Sequence, residues 1–506
     1  MRFLYLSLSL VLASSCNSSP TVCQKHMAPS EVCQQACDAS AGAPVTCPVG
    51  YYCADSGHCD ANCNFTTNPC ASGKTCNPDG QCVDPNACSG IGCNVVDCGK
   101  QGMPATTISG TVFAPNGTLP LSGINVYVPT TAVHPLPDGA VCNRCGDALP
   151  GTPISPAITD SAGHFTLTTV PSGKDIPLVI TSGKWLRQIT IPMVNSCADN
   201  PLAAADTRLP KTQSEGNIPK IAITTGSADS LECLIRKIGI ADSEITTPAG
   251  TGRIHLYAGN GVDQFAGGFA GGSGAIPSAT PFWASADNLK AYDVVILSCE
   301  GQQNPMTKPQ GALDAMKAYA DLGGRVFASH WHNVWIGGAY KSGGNFQKPA
   351  VWSNIATWTG GTNLNTGLVD LIDEVQNPKG KDFADWMLNA SVMGSTVRDE
   401  IQIQDNTGRT TCSAIDATRA QRWTYVKGGN NDPQNFQFAT PNEGPANLAC
   451  GKVAFSDMHV SGGPIANQSY PNSCASGGMI TALTPQEKAL IYMLFDLASC
   501  VAGPIG

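Results

Sequence analysis

Histidine, cysteine, hydroxyl and carboxylate side chains follow directly after apolar runs at four places in the C-terminal part of this 506-residue chain. Imidazole and carboxylate groups transfer protons near neutral pH, and neutral imidazole is a common zinc ligand. The residues are Thr225 and Ser227 after the first run, Cys299 and Glu300 after the second, His330, Trp331 and His332 after the third, and Asp457 and His459 after the fourth.

These residue types leave three roles open. His330, His459 and Glu300 would act as catalytic acid and base over a sugar-like substrate. His330, His332 and His459 would instead hold a divalent metal. In the third case the histidines only pack and hydrogen-bond within the loops. The residues predicted to bind a ligand are Thr225, Ser227, Trp331 and Asp457.

Cys299 has two interpretations. Its thiol could act as a nucleophile, with His459 as its base. The chain is predicted to be exported and has 23 cysteines, so most of them are expected in disulfides. A free thiol at Cys299 would leave another cysteine without a partner. We therefore expect Cys299 to be in a disulfide.

The elements that position these residues follow the pattern of a parallel α/β sheet. The apolar runs at 220–224, 253–257, 292–298, 325–329 and 452–456 read as strands. Helical spacing of apolar residues separates several of them, as in 231–238 and 313–320, and the sequence Thr484-Pro-Gln-Glu487 predicts a capped helix start. In such sheets ligands bind at the carboxyl ends of the strands. We expect the site at that edge.

The segments YDVVILSCEG, ALDAMKAYADLGGRVFASHWH and GKVAFSDMH resemble the class I glutamine-amidotransferase-like superfamily, in its trehalose-utilisation-type branch. The resemblance covers about 220–500 with long insertions and implies a flavodoxin-like sheet. It also implies a functional residue at a strand-to-helix elbow, where amidotransferases have a nucleophilic cysteine. This chain has His330 there, and Asp457-Met458-His459 does not reproduce the His-x-Glu pattern. Glutaminase activity is therefore not expected.

The preceding segment has the alternating pattern of strands. Its residues SGTV, GINVYVP and TDSAGHFTL resemble the carboxypeptidase regulatory-like domain, a transthyretin-like β-sandwich without an active site of its own. We assign this domain to 104–215 and the α/β domain to 216–502. A Pro-Asn-Gly turn at 115–117 predicts a hairpin between its first two strands. Cys142 and Cys145 form a C-x-x-C, but their Pro- and Gly-rich surroundings favour structural disulfides over a redox pair.

The segment 16–100 is rich in cysteine and poor in apolar residues. Thirteen cysteines lie between Cys23 and Cys98, so disulfides must hold this region together. Two stretches, from Cys47 and from Cys70, fit the same C-x-x-G-x-x-C-x₅-C pattern and resemble small EGF-like or dickkopf-like modules. The segment is either an adhesive stalk or a protease-resistant spacer.

Residues 1–15 read as a signal peptide, with Arg2 before a short apolar run. The small residues before Cys16 resemble a bacterial lipobox, which implies a lipid on Cys16 and anchoring to the outer membrane or cell surface. Cleavage at a neighbouring site without a lipid is the alternative and would give a secreted protein. Removing Cys16 leaves 22 cysteines, an even number that allows complete pairing.

Composition excludes some partners and leaves two functions. A net charge of -9 without a basic run argues against nucleic acid. The module order resembles surface lipoproteins of the myxobacterial kind. The first hypothesis is a lipid-anchored protein that binds a glycan or a surface protein through a degenerate amidotransferase-like domain. The second is an extracellular hydrolase acting on a carbohydrate or related substrate, with a divalent metal as cofactor.

Overall fold

The computed structural model describes most of the chain from residue 30 onward, in two compact units. The predicted signal peptide and the predicted lipid attachment site Cys16 lie outside the described residues. One unit comprises the residues up to Gly90 with Thr130–His134 and Pro150–Thr152, and the other comprises the rest. The described ranges are 30–38, 47–48, 50–63, 70–71, 74–76, 80–83, 90–339, 349–364, 367–428, 430–445, 448–460, 463–474 and 477–501.

The smaller unit is held by disulfides. Each of the two predicted repeats contains one short antiparallel hairpin and two disulfides with the same pairing pattern, which agrees with the internal repeat. The disulfides are Cys37–Cys53 and Cys47–Cys59 in the first copy, and Cys63–Cys76 and Cys70–Cys82 in the second. The elements are α1 Ser30–Cys33, β1 Tyr52–Cys53, β2 Cys59–Asp60, β3 Thr75–Cys76 and β4 Cys82–Val83.

The larger unit starts at Ile91, within the short 3-10 helix Gly90–Asn94. A second 3-10 helix, Cys98–Gln101, follows, and then seven strands in two sheets. The strands are β5 Thr107–Thr111, β6 Asn125–Pro129, β7 Pro153–Ile158, β8 His164–Thr168, β9 Gly173–Ser182, β10 Trp185–Val194 and β11 Asp199–Pro201. The sheet orders are β10-β9-β6-β7 and β11-β5-β8. The predicted pairing of these two strands is therefore wrong, although the chain turns back on itself at 115–117 and Phe113 pairs antiparallel with Pro120. The turn is present, with Gly117 at φ 77°, but β5 and β6 lie in different sheets.

The rest of the larger unit is built around a ten-stranded mixed sheet. Its order is β13-β14-β12-β17-β18-β25-β24-β23-β20-β21, and the first six strands in that order are parallel. The last four continue the sheet with antiparallel pairing. The strands are β12 Ile221–Thr224, β13 Ile245–Thr246, β14 Ile254–Tyr257, β17 Val294–Leu297, β18 Arg325–Ser329, β20 Val369–Ile372, β21 Glu400–Gln402, β23 Gln421–Val426, β24 Pro433–Thr440 and β25 Gly451–Ser456.

Helices and two small ribbons complete this domain. The ribbons pair β15 Gln264–Phe265 with β16 Gly274–Ala275, and β19 Ala356–Leu364 with β22 Gly408–Ile415. The helices are α2 Leu231–Lys237, α3 Ala279–Trp283, α4 Ala286–Leu289, α5 Gln310–Asp321, α6 Val334–Gly337, α7 Gly380–Leu388 and α8 Pro485–Ala498, with 3-10 turns at Asp242–Glu244 and His330–Asn333.

The sequence signals for these elements have clear physical counterparts. All four residues of β17 are buried, as the continuous apolar run predicts for a strand covered on both faces. The predicted capping box at the start of α8 is present, because Thr484 Oγ1 accepts from Glu487 N and the Glu487 carboxylate accepts from Thr484 N. No helix in the described part of the chain has both the length and the apolarity of a membrane span.

The β-sandwich and the α/β domain share one core and are cross-linked. Trp185 of the sandwich packs against Phe495 of α8, with ring centroids 5.6 Å apart. Trp386 Nε1 donates to the carbonyl oxygen of Pro120, at 2.8 Å. Both cysteines of the C-x-x-C are in structural disulfides, as predicted, and each bonds to the α/β domain. The pairs are Cys142–Cys450 and Cys145–Cys500.

Candidate active site

Cys299, His330 and His459 converge at the carboxyl ends of three adjacent parallel strands, β17, β18 and β25. One ligand atom from each residue lies within 4.8 Å of the other two. Cys299 Sγ is 3.5 Å from His330 Nδ1, and the two imidazole rings are 5.0 Å apart between centroids. All three side chains are buried, with at most 3% of the residue exposed. The edge of the sheet predicted to hold the site therefore contains a thiol and two imidazoles in contact range.

The expectation of a disulfide at Cys299 is wrong. Cys299 and Cys412 are both free, buried thiols. The even count of 22 could not reveal them, because two unpaired thiols leave the number of remaining cysteines even. Complete pairing is therefore excluded, although most of the described cysteines are in disulfides.

His330 stands at a backbone elbow. It follows the last residue of β18 with φ 45° and begins the 3-10 helix His330–Asn333. A positive φ at a residue with a side chain costs on the order of 1–3 kcal/mol and persists only where the surroundings hold it. The elbow is the position at which the sequence resemblance places the functional residue. The ring of His330 is directed toward Cys299 and His459.

Burial keeps all three groups uncharged. Desolvation lowers the pKa of His330 well below its usual value, and the nearby His459 and Arg409 lower it further. Desolvation also lowers the pKa of His459 to about 3 and raises the pKa of the Cys299 thiol to about 12. Neutral imidazole is the form that binds metals. His459 Nε2 has no hydrogen-bond partner among the described residues, so this buried nitrogen is available to a ligand.

His332, predicted as a metal ligand, is not part of the cluster. Trp335 Nε1 donates to His332 Nδ1 at 2.9 Å, so the proton is on Nε2, which donates to the carbonyl oxygen of Ser298 at 2.8 Å. Both ring nitrogens are thus used to hold the 3-10 helix against β17. Cys299, and not His332, lies within ligand distance of His330 and His459.

Glu300, predicted as an acid–base residue, is held in a buried ion pair outside the cluster. Its Oε2 accepts from Lys308 Nζ and from Asn304 Nδ2, both at 2.7 Å. The Lys308 ammonium also lies over the ring of Trp283, 5.0 Å from its centroid. Glu300 therefore anchors the loop after β17, and the structure does not bring it to His330 or His459.

Of the four predicted ligand-binding residues, only Trp331 lies against the cluster. Its half-buried ring is 4.8 Å from that of His330. Asp457 is buried and accepts from the backbone N–H of both Thr411 and Cys412, which fixes β22 beside β25. The other two hold loops, since Thr225 Oγ1 donates to the Val262 carbonyl and Ser227 Oγ to the Glu300 carbonyl, both at 2.8 Å.

Two residues near the cluster were missed by the sequence analysis. Arg409 on β22 acts electrostatically on Cys299, His330 and His459. Asp229, before α2, accepts a hydrogen bond from Ser329 Oγ at 3.2 Å, next to His330. Neither has a local sequence signal, because Arg409 lies in a long insertion and Asp229 has the pattern of an ordinary helix start.

Among the comparisons with known proteins, only the comparison with solved structures gives matches. No protein-family model matches the chain, and no curated protein matches its sequence. A ThuA-like protein from Bacteroides uniformis is 10% identical in a structural alignment covering 54% of this chain and 88% of that one, with a TM-score of 0.27. A cohesin–X-dockerin complex from Acetivibrio cellulolyticus is 19% identical over 28% of this chain and 75% of that one, with a TM-score of 0.14.

A further similar structure is BcpA, the major pilin subunit of Bacillus cereus. It is 10% identical over 21% of this chain and 30% of that one, with a TM-score of 0.13. The chain is thus similar to a ThuA-like protein over about half its length. All three TM-scores are too low to carry an argument about activity, which rests on the geometry of the site.

Proposed function

We propose that this is an extracellular hydrolase whose α/β domain works with a divalent transition metal held by Cys299, His330 and His459. The observation that carries the proposal is the convergence of these three ligand atoms within 4.8 Å of one another. One thiolate and two imidazoles are a donor set suited to zinc, and three protein ligands are typical of catalytic zinc sites. A bound metal would supply Lewis-acid activation of water.

The alternative use of the cluster is a cysteine nucleophile with a histidine base. Cys299 Sγ and His330 Nδ1 are near enough for this, at 3.5 Å. Burial opposes it, because the thiolate is the nucleophilic form and the pKa of Cys299 is raised to about 12. A metal cation would stabilise the thiolate at neutral pH and would use His459 Nε2, which otherwise has no partner among the described atoms.

The order of the central strands supports a flavodoxin-like domain. In chain order β12, β14, β17, β18 and β25 are the first to fifth long parallel strands, and they lie in the order second, first, third, fourth, fifth. This is the order of doubly wound flavodoxin-like sheets. The cluster lies at the carboxyl edge, where ligands of such sheets bind. The seven-stranded sandwich likewise supports the proposed carboxypeptidase regulatory-like domain.

The disulfides and the predicted leader support an extracellular location. Numerous disulfides indicate an oxidising compartment, which supports export. A lipid on Cys16 and attachment to the outer membrane remain part of the proposal. Binding of a glycan or a surface protein without catalysis is the competing function, and the same site would then hold its ligand without turnover.

A hydrolysis screen tests the proposal. The purified protein is assayed on glycoside and ester substrates, untreated, after chelation, and after zinc is restored. We expect activity to fall with chelation and return with zinc, and to be lost in His330→Ala and His459→Ala. The exposed His164 provides a matched control, and His164→Ala should retain full activity. Activity that survives in both site variants would contradict the proposal, and stoichiometric zinc without turnover would favour the binding function.

A further inference from the structure

Arg409 is fixed beside the cluster by its backbone. Two residues earlier in the chain, the carbonyl oxygen of Thr407 accepts a hydrogen bond from the backbone N–H of His459, at 3.1 Å. The carbonyl oxygen of Arg409 accepts from Gln434 Nε2 at 2.6 Å, and on the other side Arg409 pairs with Asn363 of β19. Residues 407–409 are thus held between His459, β24 and β19. The position of the arginine is set by the fold and not by its own charge.

The guanidinium of Arg409 has no carboxylate partner. Among the described residues no Asp or Glu oxygen lies within 4.0 Å of it, and its one hydrogen bond is from Nη1 to the carbonyl of Gly408, at 2.7 Å. Beyond residue 90, the stretches outside the described ranges contain neither Asp nor Glu. By contrast, Arg398, Arg419 and Arg422 of the same domain are each paired with a carboxylate. Arg409 is half-buried, so it has lost hydration without gaining a countercharge.

The charge of Arg409 reaches the whole cluster. Its positive charge partly opposes the desolvation that raises the pKa of Cys299, and it adds to the desolvation that lowers the pKa of His330 and of His459. The ribbon that carries it also packs on Trp331, because a Cβ at Gly361 of β19 would stand 3.0 Å from the Trp331 ring. The Trp331 ring therefore contacts His330 of the cluster, and the ribbon that carries Arg409 packs against the same ring.

We propose that Arg409 binds the carboxylate of the ligand that enters this site, and that the ligand is an acidic sugar. The forked donors of a guanidinium match a carboxylate in a bidentate pair, and an aromatic ring such as Trp331 suits the face of a sugar. The assignment of this ligand as a substrate rests on the proposed hydrolase function. The binding of the anion does not, since Arg409 is not a metal ligand.

Calorimetric titration of the full chain tests this site. The probe is D-glucuronate, the neutral control ligand is D-glucose, and inorganic phosphate is titrated as a second anion. The variant is Arg409→Gln, and Arg419→Gln is the matched control because Arg419 is paired with Asp416 at the surface. Circular dichroism confirms that both variants are folded. Each titration is run with and without zinc.

We expect glucuronate to bind the natural protein and the Arg419→Gln variant, with a dissociation constant at least about tenfold weaker in Arg409→Gln. Glucose should bind more weakly than glucuronate. Equal glucuronate affinity in Arg409→Gln, no binding of glucuronate, or tighter binding of phosphate would overturn the inference. Zinc binding without glucuronate binding would leave the metal proposal standing alone. Glucuronate binding that depends on Arg409, in a protein that does not bind zinc, would support the anion site and contradict the metal site.

Discussion

Cys299 Sγ lies 3.5 Å from His330 Nδ1, across the ends of two neighbouring parallel strands. Both groups are buried and neutral, and His459 approaches them from the next strand. The characteristic feature of this domain is a free thiol that contacts two imidazoles. Most of the other described cysteines form disulfides.

His332 should matter for stability and not for metal binding. His332→Phe removes hydrogen bonds to the Trp335 indole and the Ser298 carbonyl, which leaves two buried polar groups unpaired. We expect the free energy of unfolding in urea to fall by about 1–3 kcal/mol. Zinc affinity per folded molecule should stay unchanged. A loss of zinc with unchanged stability would instead identify His332 as a ligand.

Glu232 should make the protein less stable as the pH rises. It is fully buried, and desolvation, together with the nearby Asp229 carboxylate, raises its pKa to about 8. Between its usual pKa of 4.5 and about 8, the folded state holds a proton that the unfolded state has lost. Stability contributed by the protonated group is therefore complete below pH 4.5 and is lost as the pH rises through 8.

The variant Glu232→Gln keeps the shape and removes the titration. Relative to it, the natural protein should lose about 1.4 kcal/mol of unfolding free energy per pH unit across this window, as one proton requires. Urea unfolding of both proteins at several values between pH 5 and pH 8 measures the difference. If the free energy of unfolding changes with pH by the same amount in both proteins, Glu232 does not take up a proton in this pH range.

The disulfides between the sandwich and the α/β domain should stabilise the larger unit strongly. Cys142–Cys450 and Cys145–Cys500 join residues 308 and 355 positions apart. Replacing all four cysteines with serine should lower the free energy of unfolding by about 2–5 kcal/mol for each bond lost. The control is removal of Cys63–Cys76, which joins residues only 13 apart in the smaller unit. An equal change in the melting temperature of the larger unit in both variants would contradict this account.

The location of the site was predictable because buried parallel strands leave an unmistakable pattern. The apolar runs of β17 and β18 are visible in the sequence, and a polar residue, Ser298 or His330, directly follows each strand. Since carboxyl ends of parallel strands meet at one edge, His330 and His459 could be expected near one another. The expected proximity of the two histidines depends only on the strands being parallel, and the alternation of strands with helices in the sequence predicts this.

The details of the site depend on features without such a pattern. His330 and His332 are two residues apart and look equivalent, but the positive φ at His330 and the 3-10 helix direct their rings to different surroundings. Cysteine counting could not separate Cys299 from the disulfides. Arg409 reaches the cluster through pairing of a ribbon within an insertion, a long-range contact that local composition does not encode.

Metal binding by Cys299 is the central claim, and cobalt(II) titration measures it most directly. Cobalt bound to a thiolate gives a near-ultraviolet charge-transfer band, which identifies the sulfur ligand. We predict one equivalent of cobalt with this band in the natural protein and in Cys412→Ser, the variant of the other free buried thiol. The band should vanish in Cys299→Ser. A spectrum without the band in the natural protein, or an undiminished band in Cys299→Ser, would contradict the account.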